Sequence, residues 1–195
     1  MSPQGARAPD PRTARTKARL RESLLAECAG RPLGEVGVSA VVRRAGVGRA
    51  TFYLHYEDLT ALAVDACADL VHAAVDALHA WQTGPAAPPP ARPPAALADF
   101  LAGAAKRAPL YRALLLPGGG GPLGDRLHRE LRERARAERA AAGAPHPELV
   151  ASAVAAAFTG VLADWLHDTV PAGPSDLADH LWRLLLALHR AVPEE

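Results

Sequence analysis

Apolar side chains recur along this chain every three to four residues, a spacing that places them on one face of an α-helix. In the first such segment Leu20, Leu24 and Cys28 follow one another at intervals of four, and Gly30 and Pro32 end the pattern. No segment alternates between apolar and polar residues as a half-buried strand does. The pattern predicts an all-α chain of about nine helices, at 13–29, 38–45, 48–55, 58–81, 95–107, 109–116, 125–142, 147–170 and 175–192.

Two segments rich in proline and glycine interrupt these helices. Residues 84–94 include six prolines, which favour an extended surface loop, and residues 117–124 combine Gly and Pro, which predicts a mobile loop. The chain thus divides into a disordered basic arm (1–12), a small helical domain (13–57) and a larger helical domain (58–192).

The charge is unevenly distributed between these parts. Residues 1–50 contain ten Lys and Arg against four Asp and Glu, a net charge of +6, and the rest of the chain carries −5. A basic head suits contact with phosphates, although a chance cluster on a solvated segment is the alternative. Apolar residues make up 49% of the chain but aromatic residues only 5%, so the core must be mostly Ala, Leu and Val.

Signs of catalysis, metal binding or membrane insertion are weak. The chain has no G-x-S-x-G, H-E-x-x-H or P-loop and no G-x-G-x-x-G before a strand, so we predict that it is not an enzyme and needs no cofactor. Asp164 with His167, and Asp176 with His180, have a helical spacing that could ligate a metal, but surface polar pairs are far commoner and we predict no metal site.

The remaining features suit a cytoplasmic protein. Cys28 and Cys67 have no CxxC spacing and lie within apolar helical patterns, as small core residues do. The first residues contain no apolar core of a signal peptide, and the apolar stretch 149–163 is expected to be too short to span a bilayer.

The most informative segment, 38–56, reads as a helix, a tight turn at Gly46 and a second helix. The residues spaced to form a small shared core are Val41, Ala45, Val47 and Phe52. The Arg, Thr, Tyr and His side chains of the second helix remain outside this core, where they could enter the major groove of DNA. An ordinary helical hairpin with a polar face is the alternative.

This segment resembles the first domain of the TetR family of transcription regulators. Its second helix and turn match at Val41-Val42-Arg43-Arg44-Ala45-Gly46-Val47, and its recognition helix matches at Thr51-Phe52-Tyr53-Leu54-His55-Tyr56, followed by Asp58 and Leu62. The resemblance implies that Arg49 and Ala50 read bases and that Thr51, Tyr53 and His55 hold the phosphate backbone. The expected DNA-binding residues are Arg43, Arg44, Gly48, Arg49, Ala50, Thr51, Tyr53 and His55.

Three positions depart from the family pattern. Gly48 replaces the usual Ser, Gly37 the usual Thr and Leu59 the usual Lys, and each change removes one expected phosphate contact. Arg43, Arg44 and the basic arm are hypothesised to compensate.

The resemblance also implies that the last two helices pair with their copies in a second subunit, although both could instead fill the core of one chain. The expected dimer contacts are Val154, Phe158, Val161, Leu162, Leu177, Leu181, Leu184, Leu185 and Leu188. An effector pocket for a modest, apolar small molecule is expected in the larger domain, at positions that are also ordinary core positions. The candidates are Leu70, His72, Trp81, Phe100, Tyr111, Leu115, Leu127, Phe158 and Trp165.

Together these features lead us to expect a ligand-responsive DNA-binding regulator. It would be a repressor that binds a palindromic operator as a homodimer and is released by a small-molecule effector. Two alternatives stay open: a regulator that activates or that responds to a protein, and a helical ligand- or metal-binding protein with a degenerate DNA-binding head.

Overall fold

A computed structural model describes residues 11–80 and 92–190, which form nine α-helices and two short 3-10 turns without any strand. The helices are α1 (Pro11–Cys28), α2 (Val38–Ala45), α3 (Arg49–Tyr53), α4 (Leu59–Ala80), α5 (Ala95–Lys106), α6 (Ala108–Leu114), α7 (Gly121–Ala141), α8 (Pro147–Leu166) and α9 (Pro174–Arg190). The all-α prediction is confirmed. Most of the predicted basic arm and of the proline-rich loop lies outside the described residues.

The chain divides into two compact units, Met1–Ala66 and Cys67–Glu195. In the first unit α1 packs against α2 and α2 against α3. The residues that close its core, each without exposed surface, are Leu20 and Leu24 of α1, Val41 of α2, Phe52 of α3 and Leu62 at the start of α4. Each helix therefore contributes an anchor to one small core, which holds the short α3 in place.

In the second unit α8 is the central helix. It packs against α6, α7 and α9, and α9 also packs against α5. Among the described residues, α8 alone is long and apolar enough to cross a membrane, and more than half of that stretch is buried inside the chain. Our expectation that this segment is too short was wrong, because the apolar stretch continues past Asp164 to Leu166. The burial of the helix is that of a core helix.

The prediction of a mobile loop at 117–124 was also wrong. Pro117–Gly119 form a 3-10 turn, and α7 already begins at Gly121. Three glycines of this segment (Gly118, Gly119 and Gly121) have positive φ angles, which residues with a Cβ rarely adopt. The glycines thus define one ordered backbone path.

This turn is fixed against α8. The Gly118 N–H donates to Asp164 Oδ1 at 3.1 Å. A Cβ on Gly119 would lie 3.1 Å from the backbone nitrogen of Gly160, closer than most side chains come. The segment therefore needs glycine for close approach as well as for its backbone angles.

Glycine also precedes α2 and α3, at Gly37 and Gly48, and no side chain caps either helix. Gly37 has an extended backbone (φ −98°, ψ 150°), and a Cβ added there would meet nothing within 4 Å.

We expect Gly37→Ser to raise the free energy of unfolding by about 0.5–1 kcal/mol, because Ser caps α2 and restricts the unfolded chain. Urea unfolding measures this, with Gly34→Ser, also in open space but outside an N-cap, as the control. Equal gains in the two variants would contradict a capping role.

Candidate nucleic-acid interface

The turn between α2 and α3 sets the angle at which the two helices meet. α2 ends at Ala45, and Gly46 adopts the left-handed conformation (φ 64°, ψ 38°). The Val47 N–H then donates to the Val42 carbonyl oxygen at 3.1 Å, which closes the helix end. Since L-residues are strained at this φ, Gly46 determines the local path of the chain.

α3 exposes three of the eight predicted DNA-binding residues. Arg49, the first residue of this five-residue helix, is exposed together with Ala50 and Tyr53. Thr51 is half-buried, and Phe52 is completely buried and anchors the helix. Gly48 before the helix is exposed and His55 after it is half-buried. The short helix thus has one buried anchor and a polar outer surface.

Arg49 and Tyr53 contact each other across one turn of α3. Arg49 Nη2 donates to Tyr53 Oη at 3.3 Å, and the guanidinium carbon lies 5.7 Å from the centre of the Tyr53 ring. The Tyr53 ring meets the Phe52 ring edge to face, with 5.2 Å between their centres. Tyr53 is still 49% exposed, so the pair is open to a ligand.

The two arginines at the end of α2 are both exposed, but Arg44 also contacts α1. Its Nε donates to Glu27 Oε1 at 2.7 Å, and Arg31 donates to the other oxygen of the same carboxylate. The hydrogen bond from Arg44, followed by that from Arg31, lowers the pKa of Glu27 below its usual value. Arg44 is therefore oriented by α1, a constraint that the sequence pattern did not indicate.

A polar network that sequence reasoning missed connects α1, the segment after α3 and α4. Tyr56 Oη donates to Asp65 Oδ2 at 2.6 Å, and Arg21 Nη1 donates to the same oxygen at 3.2 Å. Lys17 Nζ lies 5.3 Å from the centre of the Tyr56 ring. The only sequence signal was the place of Tyr56 as the last residue of the recognition motif. These contacts fasten the chain where it leaves α3.

Another basic side chain lies beside the turn itself. A Cβ on Gly46 would lie 3.0 Å from Arg19 Nη2, so the guanidinium of this α1 residue covers the turn. With Lys17 and Arg21 close by in sequence, α1 adds positive charge to the unit that carries α3.

The effector candidates in the second unit are mostly buried. Phe100 meets Tyr111 edge to face at 6.3 Å and stacks on Phe158 at 6.4 Å, measured between ring centres. The other buried candidates are Leu115, Leu127 and Trp165. His72 differs, because its side chain is 43% exposed and its Nε2 lies 2.5 Å from Glu130 Oε2 of α7. Trp81 and the side chain of Leu70 lie outside the described residues.

The Tyr111 hydroxyl is the unusual polar group of this aromatic cluster. The residue has no exposed surface, and its oxygen has no hydrogen-bond partner among the residues that the structure describes. Burial, and secondly the neighbouring Cys67 thiol, raise the pKa of Tyr111, so the phenol stays protonated and able to donate. A buried hydroxyl without a partner costs about 1–3 kcal/mol.

The expected dimer residues fall into two groups in a single chain. Those buried by their own chain are Val154, Phe158, Leu162, Leu177, Leu181 and Leu185. Val161 and Leu188 are half-buried, and Leu184 is 42% exposed. Of the expected dimer residues, only Val161, Leu184 and Leu188 are therefore open to a partner subunit in this conformation.

The spacing that suggested a metal pair has a structural role at Asp164 and His167. Asp164 accepts the Gly118 N–H, and His167 Nε2 lies 2.9 Å from the Leu115 carbonyl oxygen. In the described residues, no group of three or more His, Cys, Asp and Glu side chains could hold a metal ion.

Comparison with solved structures shows the fold. The chain is similar to a TetR transcriptional regulator from Rhodococcus sp. RHA1, with a TM-score of 0.60 and 18% identity over 95% of this chain and 100% of that one. It is also similar to NalD, the secondary repressor of the MexAB-OprM multidrug efflux pump in Pseudomonas aeruginosa, with a TM-score of 0.50 and 17% identity over 91% and 96%. No family model and no curated protein matches the chain. The chain therefore has the fold of TetR-type transcription regulators, as its motif predicted.

Proposed function

We propose that this protein is a cytoplasmic, non-enzymatic transcription regulator, a repressor that binds a palindromic DNA operator as a homodimer and releases it when a small molecule binds. The observation that carries the proposal is the exposed polar surface of α3, held on a small packed unit in a chain with this fold. A helix presented in this way can enter the major groove.

Charge and chemistry support DNA as the partner. Arg49 lies at the N-terminal end of α3, the end that contacts base edges in helix-turn-helix proteins. Thr51 and His55 can donate to phosphate oxygens, and the +6 charge of residues 1–50 attracts the phosphate backbone. Selection from random DNA with the full-length protein tests this: we expect one enriched palindromic site, and enrichment of no sequence would refute the proposal.

A degenerate head is the rival interpretation, motivated by Gly37, Gly48 and Leu59. The closed end of α2 at Gly46 and the buried Phe52 argue against decay, because they hold α3 on a packed unit with its polar side chains outside. An uncapped helix start weakens the head by only a few tenths of a kcal/mol.

The proposed dimer uses the exposed face of α9. Leu184 is 42% exposed in the single chain, and half-buried Leu188 lies one turn away on the same face. We expect Leu184→Glu to convert the dimer to a monomer, since a charge in an apolar interface is costly to bury. Sedimentation at micromolar concentration measures this. Leu116→Glu, at an exposed leucine outside α8 and α9, should leave the dimer intact, and an equal loss in both variants would point to general misfolding.

The effector is proposed to bind near the aromatic cluster, where Tyr111 offers an unused donor. We expect Tyr111→Phe to leave the free energy of unfolding unchanged or to raise it by about 1 kcal/mol, because it removes a buried hydroxyl that has no partner. Denaturant unfolding in the absence of effector measures this. A clear loss of stability would mean that the hydroxyl already has a partner, and would remove this support for an effector site.

A further inference from the structure

We propose that Tyr53 is a positioning residue for Arg49, orienting its guanidinium for base recognition, and that it is not an independent phosphate ligand. This inference rests on the proposed DNA-binding function. It departs from what the family resemblance implies, which assigns Tyr53 to the phosphate backbone.

The first argument is the contact between the two side chains. They are four residues apart on α3, a spacing that makes them neighbours on one face. The hydroxyl accepts a hydrogen bond from Arg49 Nη2 at 3.3 Å, and the ring lies 5.7 Å from the guanidinium carbon. The ring and the hydroxyl therefore act on the same cation.

The second argument is that the Tyr53 side chain is itself held in one orientation. Tyr53 rotates about only two side-chain bonds, and its ring packs edge to face on Phe52, which is fully buried. A free arginine populates many rotamers and loses them when it binds. Holding it in advance is worth roughly two- to tenfold in affinity.

The third argument is the position of the Arg49 guanidinium on the helix. Arg49 is the first residue of α3, and this end of a recognition helix contacts base edges. The planar guanidinium pairs with two acceptors of guanine, so recognition depends on the orientation of its plane. A residue that sets this orientation determines specificity without touching a base.

A double-mutant cycle on the full-length protein tests the proposal. Dissociation constants are measured for the wild type, Tyr53→Phe, Arg49→Ala and the double variant, on the selected DNA site and on sites changed at each base pair. We expect Tyr53→Phe to weaken binding roughly two- to tenfold and to lose discrimination at the base pair that Arg49→Ala also affects. In the Arg49→Ala background the same change should have no further effect.

Two results would overturn the proposal while leaving the proposed function intact. One is an equal loss from Tyr53→Phe in both backgrounds, uniform across DNA sequences, as a phosphate ligand would give. The other is wild-type affinity and specificity in Tyr53→Phe. If the wild type itself prefers no DNA site, both the positioning role and the proposed function fail, and this is evident before any variant is compared. Circular dichroism confirms that each variant is folded.

Discussion

Gly124→Ala is expected to lower the free energy of unfolding by about 3 kcal/mol, the upper end of what overpacking a core usually costs. Gly124 is buried in the first turn of α7, where an added Cβ would overlap the carbonyl oxygen of Gly119 and lie 2.8 Å from its carbon. Backbone cannot rotate away as a side chain can, so the Gly119 turn must move. The Gly119 turn cannot move easily, because it packs closely against Gly160 of α8.

Gly120→Ala provides the matched control for this prediction. It lies in the same segment, has φ −75°, and a Cβ there would meet nothing within 4 Å. Urea unfolding of both variants distinguishes a loss of stability caused by close backbone packing at Gly124 from one caused by replacing any glycine of this segment. If Gly124→Ala unfolded at the same urea concentration as Gly120→Ala, the close packing described for this turn would be wrong.

Arg49→Ala is expected to weaken binding to the selected DNA site by about 1–3 kcal/mol, roughly 5- to 150-fold. The reason is the loss of a guanidinium that reads a base, so discrimination should fall at one base pair per half-site. Fluorescence anisotropy on the site and on single-base variants measures both effects.

Arg44→Ala is the control, since it removes the same charge from an exposed position in the same unit. Because Arg44 is paired with Glu27 at 2.7 Å, we expect a smaller loss and unchanged base preference. Equal losses from the two variants, without change in base preference, would mean that the head binds DNA through diffuse charge alone.

The head of the protein was the most predictable part. The apolar spacing in 38–45 gave both ends of α2, because Gly46 ends the helix through its own backbone angles. Asp58, a residue type that favours helix starts, directly precedes α4, and its Oδ1 accepts the Ala61 N–H at 2.7 Å. These features depend on residues a few positions apart, which a sequence pattern can display.

The Pro117–Gly121 segment could not be predicted, because its partner is distant in sequence. Glycine occurs both where the chain is flexible and where two backbones approach closely. Only the contact of Gly119 with Thr159 and Gly160, some 40 residues later, distinguishes the two cases.

The apolar faces of α8 and α9 were ambiguous for a related reason. Leu181, Leu184 and Leu185 look alike in the pattern, yet only Leu184 is exposed. Periodicity identifies an apolar face of a helix. It does not show which residues of that face are buried by other helices of the same chain and which stay exposed. The contact between Arg44 and Glu27 joins two helices and likewise follows no local spacing.

The most direct test of the central claim is the affinity of the full-length protein for its selected DNA site, measured from about 50 to 200 mM salt. We predict saturable nanomolar binding, roughly a thousandfold tighter than to random DNA, and its loss in the double variant Arg49→Ala, Tyr53→Ala. Weak, steeply salt-dependent binding that is equal on every DNA, and equal for wild type and variant, would contradict the account.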